Sequence, residues 1–252
     1  MMSKAREGFV MLQLEHIAWE LPGGEEIIKD IDLTISPGKL VVVTGPNGGG
    51  KTTLAKLIAG LETPSAGTIT FCGEDITKMD VTKRAQSGIA YAFQQPVRFK
   101  GLTVKDLLEL AAGASLDEDA LCGLLGKVGL CANEYIHREL NSSLSGGEIK
   151  RIEIASVLAR KAKLSIFDEP EAGIDLWSFS RLVETFQEIQ SEKRGTMLVI
   201  SHQERILTIA DEIIVIANGR VKNMGPRDEI LPTLLVNEKT PRCPLGKETV
   251  TL

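Results

Sequence analysis

The chain has 252 residues, a length that corresponds to one or two domains. Hydrophobic residues make up 43% and charged residues 25%, a balance that excludes disordered and fibrous proteins. The net charge is −5, from 29 basic and 34 acidic residues, so the chain has no basic excess for neutralising nucleic-acid phosphates. We therefore expect a globular protein whose partners do not include nucleic acid.

Composition also bears on where the protein acts. No apolar run reaches the ~18 residues that a membrane-spanning helix needs, and the N-terminus has no hydrophobic signal core. The four cysteines form no C-x-x-C pair, which disfavours a zinc site and a disulfide framework. We expect them to be small buried hydrophobic residues in a reducing compartment: Cys72, Cys122, Cys131 and Cys243. These features predict a cytoplasmic protein that meets a membrane only through a partner.

In the first and last thirds of the chain, hydrophobic residues recur with the periods of strands and of helices. Residues 10–19 and 27–35 alternate apolar and polar side chains, as strands with one buried face do. Four apolar runs without polar alternation are typical of parallel strands covered on both faces. These runs lie at 40–43, 164–167, 197–200 and 213–216. Helical periods separate them, which predicts an α/β fold.

The middle of the chain differs, because residues 102–140 show helical patterns without a strand candidate. Another helical stripe follows the second apolar run, at Leu176, Phe179, Leu182, Val183, Phe186 and Ile189. We predict a single domain over residues 1–252. It comprises an α/β core at about 10–95 and 163–225, an inserted helical subdomain at about 96–162 and a C-terminal tail at about 226–252.

A phosphate-binding loop follows the strand at 40–43. Residues 45–52 match G-x-x-x-x-G-K-[ST], and helical spacing resumes directly after them. The glycines allow several N–H groups to surround an anion, and the helix adds its positive dipole end. Lys51 is expected to reach the β- and γ-phosphates, and the Thr52 hydroxyl to ligate Mg²⁺. The predicted nucleotide-binding residues are Gly45, Pro46, Asn47, Gly48, Gly49, Gly50, Lys51, Thr52 and Thr53.

A second motif stands at the start of another helical pattern, Leu144-Ser145-Gly146-Gly147-Glu148. Alone it is a helix-capping signal. Together with the phosphate loop, it makes the chain resemble the ATP-binding-cassette (ABC) ATPases, whose signature is L-S-G-G-Q. The resemblance covers about residues 12–222 and implies an ABC nucleotide-binding domain with a phosphate-loop core, an antiparallel β subdomain and an inserted helical subdomain.

The resemblance also implies how two such chains work together. ABC domains pack head to tail in an ATP-dependent dimer, and each signature contacts the ATP held by the other chain's phosphate loop. The residues expected to act across the dimer are Ser145, Gly146, Gly147 and Glu148. A helix N-terminus with free N–H groups is physically suited to a γ-phosphate. The loop that ends in Asp175 resembles the loop that crosses the ABC dimer interface.

Two acids end the run at 164–167. Asp168 is expected to hold Mg²⁺, and Glu169 resembles the family's catalytic carboxylate, which polarises the attacking water. The alternative is a pair of surface acids. Gln94 resembles the glutamine that senses Mg²⁺ and links the core to the helical subdomain, although Gln95 is adjacent. His202 resembles the switch histidine that contacts the γ-phosphate. The predicted activity is hydrolysis of MgATP.

The sequence does not decide which residue stacks on adenine. Many ABC proteins stack the base on an aromatic residue at the end of the first strand, and Trp19 is the nearest candidate. Strand alignment brings Leu21 nearer to that position, so a core role for Trp19 is equally compatible with the sequence.

Three short segments resemble the SufC-like ATPases of iron–sulfur cluster assembly. They are Ala92-Phe93-Gln94-Gln95-Pro96-Val97, the Glu-x-Lys-Arg run of residues 148–151, and His202-Gln203-Glu204-Arg205-Ile206-Leu207. This resemblance implies a SufB/SufD-like scaffold as partner. The alternative is the ATP-binding subunit of a membrane transporter, with a permease as partner. Val97 and Phe99 are candidates for the partner surface or for the core of the helical subdomain.

Overall fold

The computed structural model describes residues 9–192 and 195–238 of the chain. Its strands form two sheets, and their bounds are β1 Leu12–Glu20, β2 Glu26–Ile35, β3 Leu40–Thr44, β4 Ala66–Phe71, β5 Glu74–Asp75, β6 Ile89–Ala92, β7 Leu164–Asp168, β8 Thr196–Ile200, β9 Glu212–Ala217 and β10 Arg220–Pro226. The helices are α1 Lys51–Ala59, α2 Val81–Ser87, α3 Val104–Ala112, α4 Glu118–Lys127, α5 Ala132–Tyr135, α6 Gly146–Ala159, α7 Leu176–Glu192, α8 Glu204–Leu207 and α9 Arg227–Glu238.

The larger sheet has the order β10-β9-β3-β8-β7-β6 and is parallel except for the edge strand β10. Every residue of β3, β7 and β8 is buried, which explains why these strands show no polar alternation. Because these three central strands are parallel, the segments that follow them meet at one edge. Ligands bind at this edge in open α/β sheets.

The smaller sheet is antiparallel, in the order β2-β1-β4-β5. It packs with α1 against one face of the parallel sheet, where Val41 and Val43 join its hydrophobic core. The other face of β3 presents Leu40 and Val42 to a second core formed with the helices. Successive side chains of β3 therefore point alternately into the two hydrophobic cores.

The stretch between β6 and β7, which the structure describes throughout, contains α3, α4, α5 and α6 and no strand. The helix caps are local and visible in sequence. Thr103 and Asp106 form a reciprocal capping box at the start of α3, and Asp117 caps α4. None of the helices among the described residues is both long and apolar enough to cross a bilayer.

Two expectations from the sequence are wrong. Cys122 and Cys131 are exposed, on a polar helix face and at a helix start, and Cys72 is only partly buried, against the core that includes the antiparallel sheet; Cys243 lies outside the described residues. Leu176 was expected on the buried stripe of α7, but it is 66% exposed. It occupies the first turn of the helix, before the stripe reaches the core.

Candidate nucleotide-binding and hydrolysis site

The phosphate loop, residues 45–52, connects β3 to α1 and lies directly against β9. A Cβ at Gly45 would stand 2.0 Å from the carbonyl oxygen of Ile216, and one at Gly49 would stand 2.9 Å from the same atom. Gly45 also has a φ of +131°, which side-chain-bearing residues rarely adopt. The glycines are therefore needed for close approach of the backbone, and the resulting cradle suits an anion.

Lys51 is the first residue of α1, and its side chain folds back over the loop. Its Nζ donates to the carbonyl oxygens of Gly45 at 2.8 Å and Pro46 at 3.0 Å. Lys51 is buried, and burial lowers the pKa of its ammonium, although the charges of Glu169 and Asp168 oppose this shift. A phosphate oxygen carries charge and would be a stronger acceptor for this ammonium than either carbonyl.

Asp168 ends β7 and is 1% exposed. Thr52 donates its hydroxyl to Oδ1 at 3.1 Å, and Tyr91 donates its hydroxyl to Oδ2 at 2.9 Å. Burial raises the pKa of Asp168, while the two hydroxyl donors oppose the shift. No cationic side chain forms an ion pair with Asp168 in the described part of the chain. A buried carboxylate beside a threonine hydroxyl is an oxygen donor set that fits Mg²⁺.

Glu169 lies in a left-handed backbone conformation, with a φ of +46°. Its amide donates to the carbonyl oxygen of Ile200 on β8 at 3.0 Å, which fixes the turn after β7. Gln94 Nε2 donates to Glu169 Oε2 at 2.6 Å. Of the two adjacent glutamines, Gln94 is therefore the one that reaches the acid pair, and Gln95 is exposed. A non-glycine residue at positive φ is often found at functional sites.

Lys150 is a residue of this site whose position the sequence analysis missed. It is fully buried, and its Nζ donates to the carbonyl oxygens of Phe93, Gln94 and Asp168, the last two at 3.3 Å. Burial lowers the pKa of its ammonium, and the charge of Glu153 opposes that shift. The available signal was its spacing, because Lys150 stands one helical turn before the buried Ile154 on the same face of α6.

His202 follows β8 at the same edge of the sheet. Desolvation of the ring and, to a lesser extent, the charge of Lys51 lower its pKa, so the imidazole is neutral at pH 7, while Glu169 opposes the shift. Its neighbour Ser201 is buried and donates its hydroxyl to Glu171 Oε1 at 2.6 Å. The segment that carries His202 is thereby attached to the segment that follows Glu169.

The signature residues form the N-terminus of α6. Ser145 Oγ accepts from the amide of Glu148 at 3.2 Å, and Glu148 Oε2 accepts from the amide of Ser145 at 2.6 Å. Tyr135 donates its hydroxyl to Glu148 Oε1. This bond and the Ser145 amide lower the pKa of Glu148 to about 2. The amides of Gly146 and Gly147 lie in the first turn, where an α-helix offers no acceptor of its own.

Asp175 caps the N-terminus of α7. Its Oδ1 accepts from the amides of Trp177 at 3.1 Å and Ser178 at 3.0 Å. The loop before it touches the signature, because a Cβ at Gly147 would stand 2.5 Å from the carbonyl oxygen of Gly173. The predicted site residues thus fall into two clusters without a hydrogen bond between them among the described residues. One comprises residues 45–53 with Gln94, Asp168, Glu169 and His202, and the other comprises residues 145–148 and Asp175.

Comparison with known proteins agrees with this geometry. A family model described as "ABC transporter" matches residues 28–172. The chain belongs to this ABC family. An uncharacterized ABC transporter ATP-binding protein of Methanocaldococcus jannaschii, MJ0035, is 37% identical over 216 residues, which cover 82% of this chain and 86% of that protein. The sulfate/thiosulfate import ATP-binding protein CysA of Synechocystis is 34% identical over 208 residues, which cover 81% of this chain and 57% of CysA.

Solved structures share the fold. CbiO1 of Clostridium perfringens, part of an ABC transporter complex, has a TM-score of 0.74 at 28% identity and covers 92% of this chain and 94% of its own. The ATP-binding cassette MJ0796, solved as a dimer bound to ADP and Pi, has a TM-score of 0.76 at 23% identity and covers 86% of this chain and 99% of its own. The expected ABC fold and ATPase class are confirmed. ABC ATPases bind and hydrolyse ATP, and they dimerise.

Adenine stacking in this ABC ATPase stays a prediction. Trp19 packs partly against the core that includes the antiparallel sheet. It also lines a surface hollow together with Leu21 and Glu62.

Proposed function

We propose that this ABC ATPase is the ATP-binding subunit of a membrane transporter and that it hydrolyses MgATP in a head-to-tail dimer. One observation carries the ATPase part, the convergence of Lys51, Thr52, Asp168 and Glu169 at one edge of the parallel sheet. The transporter part is supported by relatives such as MJ0035 and CysA, which are named as transporter ATP-binding proteins.

Each side chain has a proposed task. Lys51 exchanges its loop carbonyls for phosphate oxygens, which compensates for the burial of its charge. Asp168 and Thr52 would hold Mg²⁺, which when bound neutralises charge on the phosphates. Glu169 orients and polarises the attacking water, with Gln94 holding its second oxygen. His202 donates a ring N–H to an oxygen of the γ-phosphate.

The second cluster completes the site across the dimer. Gly146 and Gly147 offer first-turn amides and Ser145 a hydroxyl proton, which suits them to a γ-phosphate held by the other chain. Among the described residues, this cluster makes no hydrogen bond to the phosphate loop of its own chain, which agrees with a role toward the nucleotide of the other chain. Asp175 stays a predicted residue of the dimer interface.

Glu169→Gln tests this arrangement, because the amide keeps the size of the side chain and removes the charge that activates water. ATP hydrolysis should fall about 10²–10⁴-fold, as general-base loss does, while ATP binding survives. The variant should accumulate as an ATP-bound dimer, measured by light scattering. Hydrolysis at the parental rate would exclude Glu169 as the base, and a chain that stays monomeric under saturating ATP would exclude the head-to-tail dimer.

The proposed partner site is the groove beside Gln94. Val97 is 43% exposed and Phe99 is 40% exposed, and both line a cavity of about 160 Å³. Tyr91, whose hydroxyl holds Asp168, lines the same cavity. A partner side chain in this groove would therefore contact Tyr91, which in turn holds the carboxylate proposed to bind the metal.

A SufC-like role in iron–sulfur cluster assembly is the second candidate, and the three short segment resemblances support it. The segment 202–207 is weaker evidence for a partner, because its Ile206 and Leu207 are buried and pack inside the chain. The names of the relatives favour the transporter over a SufB/SufD-like scaffold.

Phe99→Asp separates the candidates, since the charge should abolish docking and leave ATP affinity unchanged. Val236→Asp is the control, because Val236 is 69% exposed on α9, outside the groove. Cross-linking in the native cell should capture a polytopic membrane protein with the parent chain and with Val236→Asp, and not with Phe99→Asp. Capture of a soluble cysteine-bearing scaffold instead would favour the SufC-like role and overturn the transporter proposal.

A further inference from the structure

Two adjacent apolar side chains on the first turn of α7 lie largely in solvent. Trp177 is 83% exposed and Leu176 is 66% exposed, whereas Phe179 and Leu182 further along the helix are buried. Leaving a tryptophan in water forgoes the large hydrophobic gain that its burial brings. Adjacent large apolar residues in solvent are typical of an interaction site rather than of a monomer surface.

Hydrogen bonds hold the backbone beneath this pair in place. Asp175 Oδ1 accepts from the amide of Trp177 itself, and Ser178 donates its hydroxyl to Asp175 Oδ2 at 2.6 Å. Arg151 Nη1, from the signature helix α6, donates to Ser178 Oγ at 2.8 Å. The first turn of α7 is therefore capped and attached to α6, so little backbone entropy remains to be lost there when a partner binds.

The pair also continues a surface that is already assigned. It follows Asp175 directly in the chain, and the loop before Asp175 is in backbone contact with Gly147 of the signature. The signature and the loop ending in Asp175 are the parts of this chain proposed to face the second copy. Leu176 and Trp177 therefore extend that surface on the same rigid unit.

We propose that Leu176 and Trp177 pack against a second copy of this chain in the ATP-bound dimer. This inference rests on the proposed head-to-tail pairing and adds to it an apolar anchor that ATP does not touch. Tryptophan is enriched among the residues that dominate binding energy at interfaces. The anchor contributes binding free energy to the dimer that does not depend on the nucleotide. ATP then has to contribute only the rest of that free energy.

Tryptophan fluorescence tests burial directly, because Trp19 and Trp177 are the two tryptophans of the sequence. A Trp19→Phe, Glu169→Gln chain reports Trp177 alone. Addition of MgATP should shift its emission to shorter wavelength, and the midpoint of that shift against protein concentration should match the midpoint of dimer mass from light scattering. A shift that does not depend on protein concentration would mean that the chain's own residues cover Trp177, which overturns the inference.

Trp177→Ala in the Glu169→Gln background tests the energetic role. The dimer dissociation constant should rise about tenfold or more, as at interface hot spots, while the ATP affinity of the monomer and its thermal unfolding stay unchanged. Leu110→Ala is the matched control, because Leu110 is 68% exposed on α3, and it should leave dimerisation unchanged. A dimer with no emission shift and an unaltered dissociation constant overturns this inference while the pairing stands. Absence of a dimer in the Glu169→Gln parent overturns the pairing itself.

Discussion

The hydroxyl of Tyr91 offers a sharp test of the metal site. Tyr91→Phe removes one oxygen atom and leaves the ring in place between β7 and the cavity beside Gln94. In the parent, that hydroxyl donates to Asp168 Oδ2 at 2.9 Å, opposite the Thr52 hydroxyl on Oδ1 at 3.1 Å. Asp168 would then keep one donor and lose the constraint that fixes the rotation of its carboxylate.

Two magnitudes follow from this geometry. A hydrogen bond to a charged group contributes ~1.5–3 kcal/mol, so the free energy of unfolding should fall by about that amount. Residues that orient a metal ligand change metal affinity by about 10–100-fold when they are removed. Because Thr52 still holds Asp168, we expect the lower end, about a tenfold rise in the Mg²⁺ concentration that half-saturates ATP hydrolysis.

The second tyrosine supplies the control. Tyr135 also donates its hydroxyl to a carboxylate, that of Glu148, on the signature helix. Tyr135→Phe should cost comparable stability in urea and leave the Mg²⁺ dependence unchanged. Mg²⁺ titrations of ATPase rate and of nucleotide binding, with ATP binding in EDTA as reference, measure the difference. If both variants lose stability and neither alters the Mg²⁺ dependence, Tyr91 only packs and the reasoning about Asp168 is wrong.

Four further substitutions, one of them a control, test other parts of the site. Lys51→Ala should weaken ATP binding at least about tenfold, from the loss of a charge-assisted bond, and titration calorimetry checks this. Gly45→Ala should destabilise the chain in urea far more than Gly48→Ala, because the Gly45 Cβ meets the Ile216 oxygen at 2.0 Å, whereas Gly48 has nothing within 4 Å. The Gly48 variant should cost about 1–2 kcal/mol for its positive φ alone. The pKa of Glu148 is lowered to about 2 from 4.5, so its stabilisation is complete above pH 4.5 and is lost as the pH falls toward 2. Glu148→Gln should remove about 1–2 kcal/mol of that acid dependence after allowance for solvent screening, and an unchanged acid profile would refute the assigned contacts.

The sequence predicted the parts of the fold that depend on local pattern. The buried strands β3, β7, β8 and β9 appear where the uninterrupted apolar runs predicted them, and α1 begins at Lys51 as the phosphate-loop motif implied. The strands β4, β5, β6 and β10 were not predicted. They are short, or partly exposed, and β4 and β5 acquire their strand conformation by pairing with β1 and with each other. Such pairing is not encoded in the segment itself.

The contacts within the site were less predictable than its residues. Motifs placed Asp168 and Gln94, but not the Tyr91 hydroxyl on the former or the Lys150 ammonium on the main chain of the latter. Both depend on distances between elements more than fifty residues apart, which spacing along the chain does not contain. The exposure of Leu176 was missed for a related reason, since a helical stripe indicates a face and not where the covering element ends.

Lys150 explains how the proposed partner groove can act on the acid pair. Gln94 is attached at two points, its carbonyl oxygen to Lys150 at 3.3 Å and its side chain to Glu169 at 2.6 Å. Lys150 in turn donates to the carbonyl oxygen of Asp168 at 3.3 Å. A partner that displaces the residues after Gln94 must therefore stretch a bond to β7 or move the carboxylates that end it. Because Lys150 would otherwise lose one of the three carbonyl acceptors of its buried ammonium, a bond worth ~1.5–3 kcal/mol, movement of the strand end is the expected response.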